Sequence, residues 1–306
     1  MKKVSVIIPT YKRSRYISRA IESVVNQDYK EIEIIVVDDN GKDTEEQKNT
    51  QNVVEQYDDI IYIVHEKNSN GSHARNTGIN VASGEYICFL DDDDIFDREK
   101  IIKQVKKLDS LDSEWGACYT GHKREFEDGT FLTYLTRKEG HLSEDILSLS
   151  IDMCSGSTIM IRKEVIEKLK GFDESFKRYQ DIEFVLRVSL KYKIAVLNEA
   201  LVTIYTHTGS NKPKSLEKVI EVKKYYLEVF KKDINKLSSE KKNKIYFNNY
   251  IDIAKDCVKY GEIKKAIIYA KLSGNLLKAI IVILRDSYIY LYKLISRKVL
   301  RYENNG

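Results

Sequence analysis

The chain of 306 residues is long enough to bury at least one substantial core, and 51 Lys and Arg against 47 Asp and Glu leave a net charge of only +4. That balance excludes the strongly basic surface expected of a nucleic-acid binder. The four cysteines, Cys88, Cys118, Cys154 and Cys257, show no CxxC pairing and read as free thiols in a reducing compartment.

The first residues, Met1-Lys2-Lys3-Val4-Ser5-Val6-Ile7-Ile8-Pro9, hold too short an apolar run for a signal peptide. No uncharged apolar stretch reaches the roughly 18 to 20 residues that span a bilayer, and the C-terminal candidates are interrupted by Arg285, Asp286 and Lys293. The expectation is a cytoplasmic protein.

Short β-branched runs predict strands at Val4 to Ile8, Ile32 to Val37, Ile60 to Val64, Tyr86 to Leu90 and Ala117 to Thr120. Between them, Ile17, Ala20, Ile21, Val24 and Val25 recur at helical spacing, as do Ile101, Ile102, Val105 and Leu108. This alternation predicts an α/β fold, Rossmann-like, with a mostly parallel sheet and flanking helices. Right-handed crossovers then collect the strand-to-helix loops at one sheet edge, where such folds bind ligands. From about Ser215 the strands give way to Lys-, Glu-, Tyr- and Leu-rich helical stretches. Lys212-Pro213-Lys214 marks the break, giving a catalytic domain over residues 1–213 and a helical extension over 214–306. Ala254, Gly261, Ala266, Ile267 and Ala270 have helix-turn-helix spacing within that extension.

Four carboxylates, Asp91, Asp92, Asp93 and Asp94, follow the apolar strand ending at Leu90. Like charges crowded at a strand end repel unless a cation neutralises them. Hard oxygen ligands suit Mg2+ or Mn2+, which complete their shell with water and substrate phosphates. The same aspartates also suit a solvated turn capping the next helix. Upstream, Asp38 and Asp39 end another predicted strand on the same edge, as ligands of a base N–H or as an Asx turn. The segment Asn70-Gly71-Ser72-His73-Ala74-Arg75-Asn76-Thr77-Gly78 leads into a short helix, and Arg75 offers either a fork for diphosphate oxygens or a surface charge.

Taken in order, Val4 to Tyr11, Val37-Asp38-Asp39, Ala74 to Gly78 and Leu90 to Asp94 resemble the family 2 inverting glycosyltransferases with a GT-A fold, of the bacterial surface or capsular polysaccharide type. The resemblance continues through Ser155 to Lys163, Gly171-Phe172-Asp173-Glu174 and Gln180 to Arg187, and ends near His207. It implies that Pro9, Thr10 and Tyr11 frame a nucleobase pocket, that Asp39 accepts from uracil N3–H, and that Arg75 lies beside the diphosphate or donor sugar. It further implies that Asp91 and Asp93 hold the family's DxD positions, with Asp93 the direct metal ligand, Asp91 or Asp92 near the ribose, and His207 completing the shell of Mn2+ or Mg2+. The donor implied is a UDP-sugar, hexosyl or N-acetylhexosaminyl, and the acceptor a saccharide that can be lipid-linked.

Inverting transfer needs a base away from the metal to deprotonate the attacking hydroxyl. The family's Glu-Asp pair reads Gln180-Asp181 here, which leaves Asp181 as the base and removes whatever the preceding glutamate contributes. Asp181 also suits an N-cap for the helix that follows. In the tail, Leu276 to Leu300 is densely apolar, and Lys278, Arg285, Lys293, Arg297 and Arg301 fall roughly on one helix side. Such a helix fits the inner face of an anionic membrane, or packs on the catalytic domain or a second subunit. Two rival readings remain. A sugar-phosphate nucleotidyltransferase would need a Gly-rich loop where Pro9-Thr10-Tyr11-Lys12-Arg13 stands. A non-catalytic interaction protein would not need the carboxylates.

Overall fold

The computed structural model describes residues 1–151, 156–206 and 215–286. His207, Cys154, Ser155, the 212–214 break and the tail cations Lys293, Arg297 and Arg301 lie outside the described residues. Contacts divide the chain into two units, one of Met1–Ser143 with Ile151–Thr208 and one of Glu144–Ser150 with Gly209–Gly306.

In the first unit the elements run β1 (Val4–Thr10), α1 (Ser14–Val25), β2 (Ile32–Asp38), α2 (Glu45–Val54), β3 (Ile60–Val64), α3 (Gly71–Val81), β4 (Tyr86–Phe89), β5 (Ile95–Phe96), α4 (Lys100–Asp109), β6 (Trp115–Phe126) and β7 (Phe131–Tyr134). After the short α5 (Ser143–Leu147), which belongs to the second unit from Glu144 on, come β8 (Ile159–Arg162), α6 (Lys163–Leu169), α7 (Gln180–Ser189) and β9 (Lys193–Thr206). The sheet order is β3-β2-β1-β4-β8-β6-β9-β5, with β7 beside β6. The β3-β2-β1-β4 part is parallel, as the alternation predicts. Beyond it the sheet is mixed, because β8 enters antiparallel between β4 and β6. Strand β6 also runs on to Phe126, past the expected end at Thr120, since its polar second half gains partners in both β7 and β9.

Alternation along β1 sends Val4, Val6 and Ile8 to one face, where they form a core with Ile17, Ala20, Ile21 and Val24 of α1 and with Ile101, Val105 and Leu108 of α4. The opposite face receives α3. A Cβ added at Gly78 would sit 2.4 Å from Cγ2 of Ile7, so only glycine allows α3 this close to β1. Gly78→Ala is therefore expected to destabilise the protein by about 1–3 kcal/mol through overpacking. A denaturant titration of the purified variant checks this.

The second unit comprises Glu144–Ser150, α8 (Leu216–Val229), α9 (Lys231–Asn235), α10 (Ser239–Lys259), α11 (Ile263–Leu272) and a further helical run over 276–286. Leu216, Ile253, Ala254, Cys257, Ala270 and Ala279 belong to its core. Gly261 ends α10 in the left-handed region at φ +76°, and the Glu262 N–H closes back on the Cys257 carbonyl at 2.8 Å. Asn249 of α10 donates to the Leu147 carbonyl at 2.8 Å, which ties the 144–150 segment to these helices.

Candidate active site

Parallel pairing fixes which side chains meet. The β1–β4 register sets Val4 against Tyr86 and Ile7 against Phe89, and the same offset carried past the strand ends sets Thr10 beside Asp92. The Thr10 hydroxyl accordingly donates to Asp92 Oδ2 at 2.7 Å. Thr10 also pairs with Asp38 across β1–β2, and the Asp39 N–H donates to the Thr10 carbonyl at 2.9 Å. Thr10, Asp39 and the aspartate cluster thus share one sheet edge.

The four aspartates point to different partners. Asp91 Oδ1 takes Arg75 Nη2 at 2.6 Å, and Asp94 Oδ2 takes the Ser157 hydroxyl at 2.7 Å. Asp92 and Asp93 share Arg13, whose Nη1 lies 3.0 Å from Asp92 Oδ1 and 2.6 Å from Asp93 Oδ2. Burial drives the Asp92 carboxyl up to about 7, against the pull of Arg13. Asp94 is held well above the usual carboxylate range by burial and then by the charge of Asp91. Burial and crowding hold Asp92 and Asp94 toward their protonated forms, and a divalent cation would favour the ionised forms instead. Among the described residues no three His, Cys, Asp or Glu side chains form a ready-made cage. Mg2+ or Mn2+ would need only one or two carboxylates, with water and phosphate in the remaining positions.

The raised carboxyls have a measurable consequence. Asp92 binds a proton on folding between its unfolded value near 4 and its folded value of about 7, so stability falls as pH rises through that window. Asp38, Asp94 and Asp181 are shifted in the same direction, each chiefly by burial, and add to the slope. Thermal melts of the metal-free protein are expected to show a melting temperature that declines from about pH 4 to about pH 7, and Asp92→Asn is expected to flatten the decline.

Asp39 is buried, and protein groups surround its carboxylate. Oδ1 meets His65 Nδ1 and the Ser69 N–H, both at 2.8 Å, while Oδ2 takes Asn68 Nδ2 at 2.7 Å and the Asn70 N–H at 3.0 Å. These bonds hold Asn70 at φ +88°, from where its side chain caps α3 through the Ser72 and His73 N–H groups. Asp39 therefore positions the helix that carries Arg75.

Arg75 is 6% exposed. Its Nη1 donates to the Gly71 carbonyl at 3.2 Å, and its buried Nε has no hydrogen-bond partner among the described residues. Near it, α3 grips the loop before α7. Asn76 accepts from the Phe172 N–H at 2.8 Å and donates to Glu174 at 2.8 Å, His73 meets Glu174 at 3.0 Å, and the Ser72 hydroxyl reaches the Phe176 carbonyl at 3.1 Å. Phe172 packs between Phe89 of β4 and Phe184 of α7. The Gly171-Phe172-Asp173-Glu174 segment is thus a clamp that sets α7 against α3 and β4. Asp181, in the first turn of α7, is half-buried and accepts from the Ile182 N–H at 3.0 Å. Its carboxyl is raised by burial, drawn down by Arg75 and pushed up by Asp91, so these three groups feel one another. Gln180 lies against the start of α3, its Nε2 being 3.7 Å from where a Gly71 Cβ would stand.

Of the residues singled out in the sequence, Thr10, Asp91, Asp92, Asp93, Arg75 and Asp181 are linked by contact or by electrostatic coupling. Pro9 and Tyr11 flank Thr10 on the chain, and the Tyr11 N–H lies 3.4 Å from Asp92 Oδ2. Arg13, His65, Asn68 and Asn76 were not foreseen. Arg13 had one legible signal, a cation three residues beyond a strand that neighbours the acidic one.

A protein-family model described as Glycosyl transferase family 2 matches residues 5–170, more than half of the chain. The amylovoran biosynthesis glycosyltransferase AmsB of Erwinia amylovora is 29% identical over 213 residues, covering 67% of this chain and 70% of that one. Several curated Rickettsia relatives are much longer, and the chain spans about a third of their length. Among solved structures, S. aureus TarS in complex with UDP-GlcNAc aligns with a TM-score of 0.59 at 21% identity, over 89% of this chain and 92% of that one. The mannosyltransferase PcManGT of Pyrobaculum calidifontis, in complex with GDP-Man and Mn2+, aligns with a TM-score of 0.59 at 18% identity, over 95% and 81%. At such identities the two structures bear on fold alone, and that fold is GT-A with helices following it.

Proposed function

The chain belongs to glycosyl transferase family 2, and from that premise we propose that it moves a sugar from a UDP-sugar to an acceptor hydroxyl, with inversion, during assembly of a surface polysaccharide. The observation that carries this reading is the pair of coupled groups at one sheet edge, with the Asp91–Asp94 cluster on one side and Asp181 on the other, joined through Arg75. The relative named for amylovoran biosynthesis supports the polysaccharide context, and the neighbour holding UDP-GlcNAc supports the donor class.

In this reading Thr10 and Tyr11 line the base pocket, and Asp39 braces its wall. The uracil N3–H takes the place of the Asn68 amide, a side-chain contact that can swing away from Asp39. Asp93 would hold the divalent cation, with Asp91 or Asp92 near the ribose, and the cation's chemistry is charge neutralisation on the departing diphosphate. The guanidinium of Arg75, paired with Asp91, would lend its charge to the same diphosphate. Asp181 takes the proton from the acceptor hydroxyl as that oxygen attacks the anomeric carbon from the face opposite UDP. Its raised carboxyl makes it a stronger base than an exposed aspartate. One bond forms at the anomeric carbon as the bond to UDP breaks, and no covalent enzyme intermediate is needed.

Incubation of the protein with Mn2+, a panel of UDP-sugars and lipid-linked saccharide acceptors, followed by mass spectrometry and by NMR of the new linkage, tests the proposal. A product with inverted anomeric configuration supports it. Transfer only from GDP-sugars, or with retention, contradicts it.

A further inference from the structure

The helical run over 276–286 has two apolar sides. Ala279 and Ile283 are buried in the core of the second unit, whereas Leu277, Ile280, Ile281 and Leu284 are 72%, 41%, 58% and 64% exposed. Those four recur at i, i+3, i+4 and i+7, which makes one continuous ridge along the helix, and Lys278 and Arg285 border it one turn-pair apart. Neighbouring α11 repeats the pattern. Ala266 and Ala270 are buried while Ile267 and Ile268 are about half-exposed at 46% and 54%. A helix apolar on both sides has a face without its partner, and a patch of this kind on a soluble surface marks an interaction site.

Charge identifies what covers it. Between Glu262 and Asp286 there are five cations and no carboxylate. Lys265 pairs with Glu217 and Arg285 with Asp286, while Lys264, Lys271 and Lys278 form no ion pair among the described residues. Elsewhere in the same unit cations and acids alternate and pair, as Lys223 does with Asp252 and Asp256. Asp286 is the one acid on the helical run of 276–286, and the sequence beyond it adds Lys293, Arg297, Lys298 and Arg301 against Glu303. Lys264 and Lys271 stand among the exposed isoleucines of α11, where long stems let the ammonium groups reach outward from an apolar contact. A protein partner would require a matching acidic rim around an apolar groove. An anionic bilayer supplies both properties at every point of its surface. Among the described residues no helix is long and apolar enough to cross a membrane.

We infer that the ridge of 276–286, with the adjoining face of α11, docks the protein onto an anionic lipid surface. This inference is independent of the donor site. The test is sedimentation of the full chain with vesicles of phosphatidylcholine alone and of phosphatidylcholine containing phosphatidylglycerol. The wild-type protein is expected to bind the anionic vesicles at least about tenfold more tightly than the neutral ones. Leu277→Glu with Ile281→Glu is expected to weaken that binding at least about tenfold, with thermal melting and UDP binding kept as controls of folding. Lys264→Glu with Lys271→Glu, which leaves the apolar ridge intact, is expected to remove the preference for anionic lipid. Equal binding to both vesicle types, or unchanged binding by the Leu277/Ile281 variant, overturns the inference. So does a dimer seen by light scattering that the same two substitutions dissolve while vesicles are ignored, which would assign the ridge to a second copy of the chain.

Discussion

Replacing Asp181 with asparagine is expected to lower the rate of sugar transfer by about a hundredfold to ten-thousandfold, with UDP binding retained. Asparagine preserves the shape and the acceptor oxygen for the Ile182 N–H but cannot take a proton. The clamp that places α7 relies on Asn76, His73, Ser72 and Phe172, none of which touches the Asp181 carboxyl, so the helix keeps its position in the variant. The pH dependence follows from the direction of the shift. Burial raises the Asp181 carboxyl, and only its deprotonated form is a base, so the rate climbs with pH through a value above that of an ordinary aspartate and then levels off. In Asp181→Asn the residual rate should lose that rise. Steady-state rates between pH 4 and pH 8 check both statements.

Asp93→Ala is expected to weaken Mn2+-dependent UDP binding by about a hundredfold, the scale of several kcal/mol of lost charge neutralisation. Asp93 is one of two carboxylates at alternate positions after β4, and it shares Arg13 with Asp92. Asp92 and Asp94 are the inward pair, each 3% exposed and hydrogen-bonded to Thr10 and Ser157. Asp92 and Asp94 brace the turn, and Asp91 and Asp93, the latter 9% exposed, are the pair proposed to serve the donor.

Much of this was legible in the sequence because strand order and residue pattern agree. Val4, Val6 and Ile8 alternate as a strand with one buried face must, and the four parallel strands followed from the spacing of such runs. Asp91 to Asp94 stood out by charge alone. The antiparallel insertion of β8 could not be read, because Ile159–Arg162 is a four-residue run whose neighbours β4 and β6 are set by tertiary pairing. Arg13 and the ligands of Asp39 were hidden for a related reason. A side chain's partner across a sheet edge depends on register, which a sequence pattern constrains only after the strand order is known. Gly171-Phe172-Asp173-Glu174 stood in the sequence only as part of the resemblance, and the contacts with Asn76 and His73 give it a clamping role.

The central claim, that the acidic edge is a metal-dependent UDP-sugar site, is tested most directly by calorimetric titration of UDP with and without Mn2+, on the wild-type protein and Asp93→Ala, with GDP as the competing nucleotide. The account predicts UDP binding that needs Mn2+, weakens in the variant and exceeds that of GDP. UDP binding indifferent to both Mn2+ and Asp93, or no UDP binding at all, would contradict it and leave the cluster a structural turn.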